Sequence, residues 1–326
     1  MKTITLAPAK IIILGEHFCV HGAPALSMAI NLYSKVEVED LNQKKLQIFS
    51  ENLNVLGEYV EGKFLPVIGG LESRKIVEPI RLAVEATLNM LGEVEKGFKV
   101  KVNSKIPVGV GLGSSASIAV STIMAIAANL GFKLSKEEVC KIAFEAEKYV
   151  HFKPSGIDHT TITYGGLILF KEGKLVKQIQ PKKDLTFIVG NTGIRRSTGV
   201  LVKEVDKLKE EKRSLMVKML ADIEKLVFEG LDALESGNLK FLGEILDKNQ
   251  EMLSNIGVSH WKLEELIDTA RKAGALGAKL TGGGGGGCMI CLTEDKDTSR
   301  VAEALKKVSK EIYIVKMDKY GVKVLV

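Results

Sequence analysis

Apolar and polar residues along this chain switch between a period of two and a period near 3.6, which outlines mixed strands and helices. Thr3–Leu6 and Ile11–Leu14 are short β-rich runs, and Leu32–Leu41 alternates through Val36-Glu-Val38-Glu39 as a half-exposed strand does. Leu46–Phe49 reads as its hairpin partner and Phe98–Val102 as a further strand. Arg74–Met90 has helical spacing and stops at Gly92. Ile118–Leu130 is apolar nearly all round, which predicts a buried helix closed by Asn129-Leu-Gly131. Ser135-Lys-Glu-Glu138 has capping-box spacing and opens a helix to Tyr149.

A second block begins near Pro181. Leu185–Val189 reads as a strand, followed by long amphipathic helices over Thr198–Ser236, Leu239–Ile256 and Lys262–Ala273. Strands Ala278–Leu280, Cys288–Leu292 and Ile312–Lys316 close the chain, with a helix at Thr298–Ser309. The pattern predicts an α+β protein whose second block, residues 181–326, layers helices on an antiparallel sheet, with residues 1–180 as the first domain.

The 326 residues suit about two domains, and 45% hydrophobic with 26% charged residues leaves enough apolar side chains for a large core. The net charge of +6 is spread along the chain, which excludes a nucleic-acid arm and suits anionic substrates. Cys288-Met-Ile-Cys291 has metal-pair spacing but no second pair, and residues three apart on a strand face opposite ways, so these read as buried thiols. Lys10, Glu16 and His17 interrupt the first apolar run, and no 18-residue apolar span exists, so a cytoplasmic enzyme is expected.

The most informative stretch is Pro107-Val-Gly-Val-Gly-Leu-Gly-Ser-Ser-Ala-Ser117. Gly109, Gly111 and Gly113 bare the backbone just before a helix, where N–H groups and about half a positive charge of helix dipole favour an anion such as phosphate. A turn alone needs one glycine. The loop has no Gly-Lys-Ser/Thr and no dinucleotide Gly-x-Gly-x-x-Gly on a first strand, so neither of those phosphate folds applies. Six consecutive glycines at 282–287 lie between pressing apolar segments, which suits close approach of backbone to a ligand or another loop more than a flexible linker. Asp158, three residues after Ser155, falls in the first turn of a short helix and is the candidate base. Lys10 lies on an apolar strand, where its charge needs a partner. His17-x3-His21 lacks the helix pattern or third ligand of a zinc site.

Together, Lys10-Ile-Ile-Ile-Leu-Gly-Glu-His17 with Val20-His-Gly22, the glycine-serine loop, Glu147 with Ser155-Gly-Ile-Asp158, and Lys279-Leu-Thr-Gly282 to Cys288 resemble, in order and over nearly the whole chain, the three motifs of the GHMP kinase superfamily. Within it, Tyr164-Gly-Gly166 and Arg195-Arg-Ser-Thr198 resemble the mevalonate kinases. Gly283 stands where that pattern commonly has Ala, which removes no functional group. The resemblance implies a ribosomal-protein-S5-domain-2-like first half, a ferredoxin-like second half, a possible homodimer, and transfer of phosphate from ATP to the C5 hydroxyl of mevalonate. It implies Asp158 as base with Lys10 beside it. Pro107, Gly109, Gly111, Leu112, Gly113, Ser114, Ser115, Ala116, Ser117 and Ser104 would bind the nucleotide. Ser115 and Glu147, the latter eleven residues before Asp158, would hold Mg2+, and Glu16, His17 and Arg196 the acceptor, with Arg195 competing for its carboxylate. Phosphomevalonate, homoserine or galactose as acceptor, a related decarboxylase, and a non-catalytic sensor on the same fold remain alternatives.

Overall fold

The computed structural model describes residues 2–92, 96–148, 155–194 and 198–325. In chain order the elements begin with β1 (Lys2–Leu14), β2 (Ala25–Leu41), β3 (Lys45–Ser50), β4 (Val55–Val60) and β5 (Lys63–Ile68). They continue with α1 (Arg74–Leu91), β6 (Gly97–Ser104), α2 (Ser114–Asn129), α3 (Lys136–Lys148), α4 (Ile157–Tyr164), β7 (Leu167–Lys171) and β8 (Lys174–Ile179). The second half holds β9 (Thr186–Asn191), α5 (Thr198–Glu211), α6 (Arg213–Ser236), α7 (Leu239–Asn255) and α8 (Trp261–Lys272). It ends with β10 (Gly277–Thr281), β11 (Cys288–Thr293), α9 (Asp295–Lys306), β12 (Glu311–Lys316) and β13 (Lys323–Val324).

The two short runs predicted at the N-terminus are one strand. Pro8, which cannot donate to a ladder, sits where the β1–β2 register shifts between Pro8 and Ala9, so the strand passes through it. The predicted β2–β3 hairpin does not form: β6 lies between them, antiparallel to β2 and parallel to β3. Alternation sets which face of a strand is buried but not which strand lies beside it. The first sheet runs β13-β1-β2-β6-β3-β4-β5, with β7 and β8 continuing from β2. The second, β10-β11-β9-β12, is antiparallel as predicted.

Helix α2 is buried as its composition predicts, and Gly92 ends α1 in the left-handed conformation. Ser135 and Glu138 form the reciprocal capping box: Ser135 N–H donates to Glu138 Oε2 at 2.7 Å and Glu138 N–H to Ser135 Oγ at 3.2 Å. The single helix predicted over Thr198–Ser236 is broken at Lys212, whose φ of −126° and ψ of 55° leave the helical region. The break falls in the charged run Lys209–Arg213, which has no apolar side chain to anchor a turn. It lets Leu201 and Val205 of α5 and Met216 and Met219 of α6 bury in one core. That core also takes Leu14 and Leu26 from the first sheet and Ile245 and Leu280 from the second half, so the two sheets share it. The final helix begins at Asp295, three residues before the predicted Thr298, with the Glu294 carbonyl accepting from Asp297 and Thr298 N–H.

Cys288 and Cys291 are buried free thiols, as their strand spacing requires, and Cys19 is buried too. Burial pushes the Cys19 and Cys291 thiols up to about 12. In native protein, Ellman's reagent should titrate Cys140 alone among the four cysteines, and all four after denaturation; rapid loss of more than one native thiol would contradict this packing.

Glu37 receives hydrogen bonds from Lys35 at 2.5 Å and, across the β1–β2 ladder, from Lys2 at 2.9 Å. These hold its carboxyl at about 2, below the ordinary 4.5. Because the folded value is depressed, the stabilisation is present above the unfolded value and lost as pH falls from about 4.5 to about 2. Glu37→Gln should cost below about 1 kcal/mol at neutral pH, since the lysines are half-exposed and screened. Chemical denaturation across that pH window should show the difference vanish in acid.

Candidate nucleotide and acceptor site

The site is organised by one edge of β1. β13 pairs only with Thr5 and Leu6 on that edge. Beyond it, Lys10 N–H donates to Leu112 O at 3.1 Å, which ties the glycine-serine loop to the strand. Two residues on, Ile12 N–H donates to Thr281 Oγ1 at 2.9 Å, and the same hydroxyl donates to Ile12 O at 3.1 Å. Thr281 ends β10 and opens the six-glycine loop, so both loops dock on consecutive parts of one strand.

Gly109, Gly111 and Gly113 all have left-handed φ, of 74°, 89° and 75°, which explains why three glycines stand here. The two loops touch through backbone. A Cβ on Gly282 would lie 2.9 Å from Gly111 Cα, and one on Gly287 would lie 2.8 Å from Val110 O. The six-glycine segment is held further by Gly285 N–H to Val258 O and Gly287 N–H to Ile194 O, both 2.8 Å. Its glycines therefore serve close loop-to-loop packing, the alternative to a linker expected above.

Gly113 caps α2, so the N-terminus of that helix points its free N–H groups to the end of the loop. Pro107 is part-buried and Gly109 exposed, whereas Leu112 is buried and anchors the loop. Of the serines, Ser115 is exposed and Ala116 beside it part-buried. Ser117 Oγ donates to Ala7 O at 3.0 Å, and Ser114 Oγ to Ile106 O at 3.4 Å. Ser104 Oγ pairs with Ser34 Oγ at 2.9 Å and accepts from Ile106 N–H at 3.2 Å. These three hydroxyls are engaged in shaping the loop, which leaves Ser115 as the one presented outward.

Lys10 and Asp158 form an ion pair, Nζ to Oδ1 2.8 Å, with the lysine 2% and the aspartate 30% exposed. Asp158 lies in the first turn of α4, although the cap is Gly156 rather than Ser155, whose Oγ accepts from Ile157 N–H at 3.4 Å. The stem of Lys10 lies against Gly113: a Cβ there would sit 3.0 Å from Lys10 Cγ. The ion pair is thus seated directly against the start of α2. Such a buried ammonium is tolerable because it is paired, and the part-exposed carboxylate remains accessible.

Glu147, near the end of α3, is hydrogen-bonded to His159, Oε2 to Nδ1 3.0 Å, and is part-exposed. Its carboxylate and the Ser115 hydroxyl are hard oxygen donors of the kind magnesium takes, and the cation characteristically completes its shell with water and phosphate oxygens. The donor chemistry therefore fits Mg2+. Among the described residues no group of three or more His, Cys, Asp or Glu is arranged for a metal.

Glu16 and His17 lie in the turn after β1. Glu16 is fully buried and forms an ion pair with Lys279 of β10, itself fully buried. Burial pushes the Glu16 carboxyl up, with Lys279 opposing, and pushes the Lys279 ammonium down, with Glu16 opposing. His17 adopts φ 59° and its Nε2 bonds Gly283 O at 3.0 Å. Burial lowers its pKa, the Gly283 carbonyl opposing, so the neutral ring donates through Nε2 and leaves Nδ1 as an acceptor. Asn249 Oδ1 accepts from Gly15 N–H at 3.3 Å. Lys279 and Asn249 carried no expected role. Lys279 had the same signal as Lys10, a lysine within an apolar strand, whereas Asn249 is an uncharged polar residue of an amphipathic helix and had none. Arg195 and Arg196 lie outside the described residues.

Comparison with known proteins agrees with this architecture. Residues 77–166 match the GHMP kinases N terminal domain and residues 231–311 the GHMP kinases C terminal domain. The chain belongs to the GHMP kinase family. Among its relatives, the mevalonate kinase of Pyrococcus furiosus is 39% identical, with 99% of this chain and 98% of the relative covered. The crystal structure of Methanococcus jannaschii mevalonate kinase superposes with a TM-score of 0.82 at 30% identity, covering 97% of this chain and 98% of that one. L. major mevalonate kinase in complex with R-mevalonate gives 0.82 at 31% identity, covering 96% and 95%.

The contact between the loops makes a direct prediction. Gly282→Ala forces a left-handed alanine against the Gly111 backbone and should cost about 1–3 kcal/mol of stability. Urea denaturation measures this, and an unchanged midpoint would mean that the loops do not pack as described.

Proposed function

We propose that this chain transfers the γ-phosphoryl group of ATP to the C5 hydroxyl of mevalonate, giving 5-phosphomevalonate and ADP. The observation that carries the reading is the Lys10–Asp158 pair seated on Gly113 at the start of α2. It brings a carboxylate able to accept a proton to the place where a bare-backbone loop and a helix N-terminus favour phosphate. The relatives named mevalonate kinase, and the R-mevalonate held by one of them, support the choice of acceptor.

In this reading the phosphates lie along the loop from Gly109 to Ser117, with its N–H groups and the α2 dipole facing their charge. Asp158 takes the hydroxyl proton as that oxygen attacks the γ-phosphorus. The bond from the γ-phosphorus to the β,γ-bridging oxygen breaks, and ADP leaves with its electron pair. Lys10, paired with Asp158, orients that carboxylate and polarises the hydroxyl. Ser115 and Glu147 would hold Mg2+, which when bound neutralises charge on the phosphates. Glu16 and His17 bound the acceptor pocket, and Arg196, with Arg195 as the competing choice, pairs its carboxylate. The unpaired thiols suit the reducing cytoplasm.

A coupled ADP-release assay on a panel of alcohols tests this. Mevalonate should be turned over, and Asp158→Asn should lower kcat by at least about 10²–10⁴ while the Kd for ATP stays within about threefold. Lys10→Met should lower kcat by at least about 10². Turnover of galactose, homoserine or phosphomevalonate but not mevalonate would overturn the acceptor, and an active Asp158→Asn would overturn the base.

A further inference from the structure

Besides its local bonds from Phe18 and Cys19 N–H, the turn Gly15–His17 is held at all three residues from the other half of the molecule. Gly15 N–H bonds Asn249 Oδ1, Glu16 pairs with Lys279, and His17 Nε2 bonds Gly283 O. Lys279 is itself fixed: its Nζ donates to Leu280 O at 2.7 Å, and Leu280 N–H donates to Gln250 Oε1 at 2.9 Å. An ion pair with both partners at 0% exposure is costly to desolvate and is weak evidence for stability as such. Its geometry has a second consequence. Glu16 Oε2, His17 Nδ1 and Asn249 Nδ2 are each buried without a hydrogen-bond partner. Buried polar atoms ordinarily have a partner in the chain, in ordered water or in a ligand, so these are the open hydrogen-bonding positions around the turn.

We propose that Lys279 is a positioning residue for the acceptor: by occupying Glu16 Oε1 it fixes that carboxylate in the interior and reserves Oε2 for an acceptor hydroxyl. The proposal rests on the kinase reading above and assigns a substrate group to this corner. The unpaired atoms are two acceptors and one amide donor. Glu16 Oε2 can only accept, so a hydroxyl, which donates, suits it, whereas a carboxylate only accepts and would face the Glu16 charge. Glu16 Oε2 therefore takes a hydroxyl of the acceptor, and the acceptor's carboxylate lies elsewhere. Lys279 acts through Glu16 and does not touch the substrate.

The test is a double-mutant cycle on the intact chain with Glu16→Gln, Lys279→Met and the double variant, reading KM for the acceptor, KM for ATP and Tm. Lys279→Met should raise the acceptor KM at least tenfold with the ATP KM within about threefold, and should lower Tm by leaving a buried carboxylate unpaired. In the Glu16→Gln background the same substitution should change the acceptor KM by less than about threefold and should regain Tm relative to Lys279→Met. If Lys279→Met does not fold, comparing Glu16→Gln with the double variant decides: equal acceptor KM values support the proposal, and a further tenfold loss overturns it. A folded Lys279→Met with wild-type acceptor KM and altered Tm alone would make the pair purely structural and overturn the proposal. Wild-type turnover of mevalonate is the control. Its failure overturns the acceptor assignment, and the same cycle on whichever alcohol is turned over then decides the role of Lys279.

Discussion

The site depends on a strand edge that β13 leaves uncovered. Beyond Leu6, the outer edge of β1 carries backbone donors and acceptors that no strand completes, and buried groups of that kind must be paired. Leu112 supplies one partner and the Thr281 hydroxyl two more. Two loops from opposite halves of the chain are thereby brought to one strand, within two residues of each other. Their backbones then approach so closely that only glycine fits at Gly111 and Gly282. The glycine content of both loops follows from that docking as well as from any need to approach phosphate.

The same strand places the charges. Lys10 sits inside β1 and Lys279 inside β10, each buried among apolar neighbours, and each takes a carboxylate. The difference lies in the carboxylate. Asp158 is part-exposed, so it can meet a hydroxyl and exchange a proton with it. Glu16 is fully buried and held by Lys279, which suits a fixed hydrogen-bond acceptor and not a group that must cycle between charge states. Two lysine–carboxylate pairs thus differ most in the access that solvent has to the carboxylate.

What was readable beforehand followed from local chemistry. The capping box at Ser135–Glu138, the stop at Gly92, the burial of α2 and the opposed cysteines of β11 depend on residues within a turn or two of one another, and all appear as expected. The short strands β4, β5, β7, β8 and β13 were not anticipated. β5 contains Pro66 on the sheet edge and β13 is two residues long, so neither offers a clean period. The break at Lys212 was also missed, because the helical period persists on both sides of it and only the shared core requires the turn.

The amino-acid order by itself determined the backbone permissions and the chemistry on offer: glycines free to turn left-handed at 109, 111 and 113, a buried helix after the loop (read from Ile118, though it starts four residues earlier at Ser114), and lysines on apolar strands that would each need an anion. It did not determine which anion each lysine would meet, that β6 would part β2 from β3, or that Asn249 would hold the turn after β1. Those outcomes join residues up to 263 positions apart, as Glu16 and Lys279 are. Local periodicity carries no information across such a separation. Only the packing of both halves on one core decides which groups become neighbours.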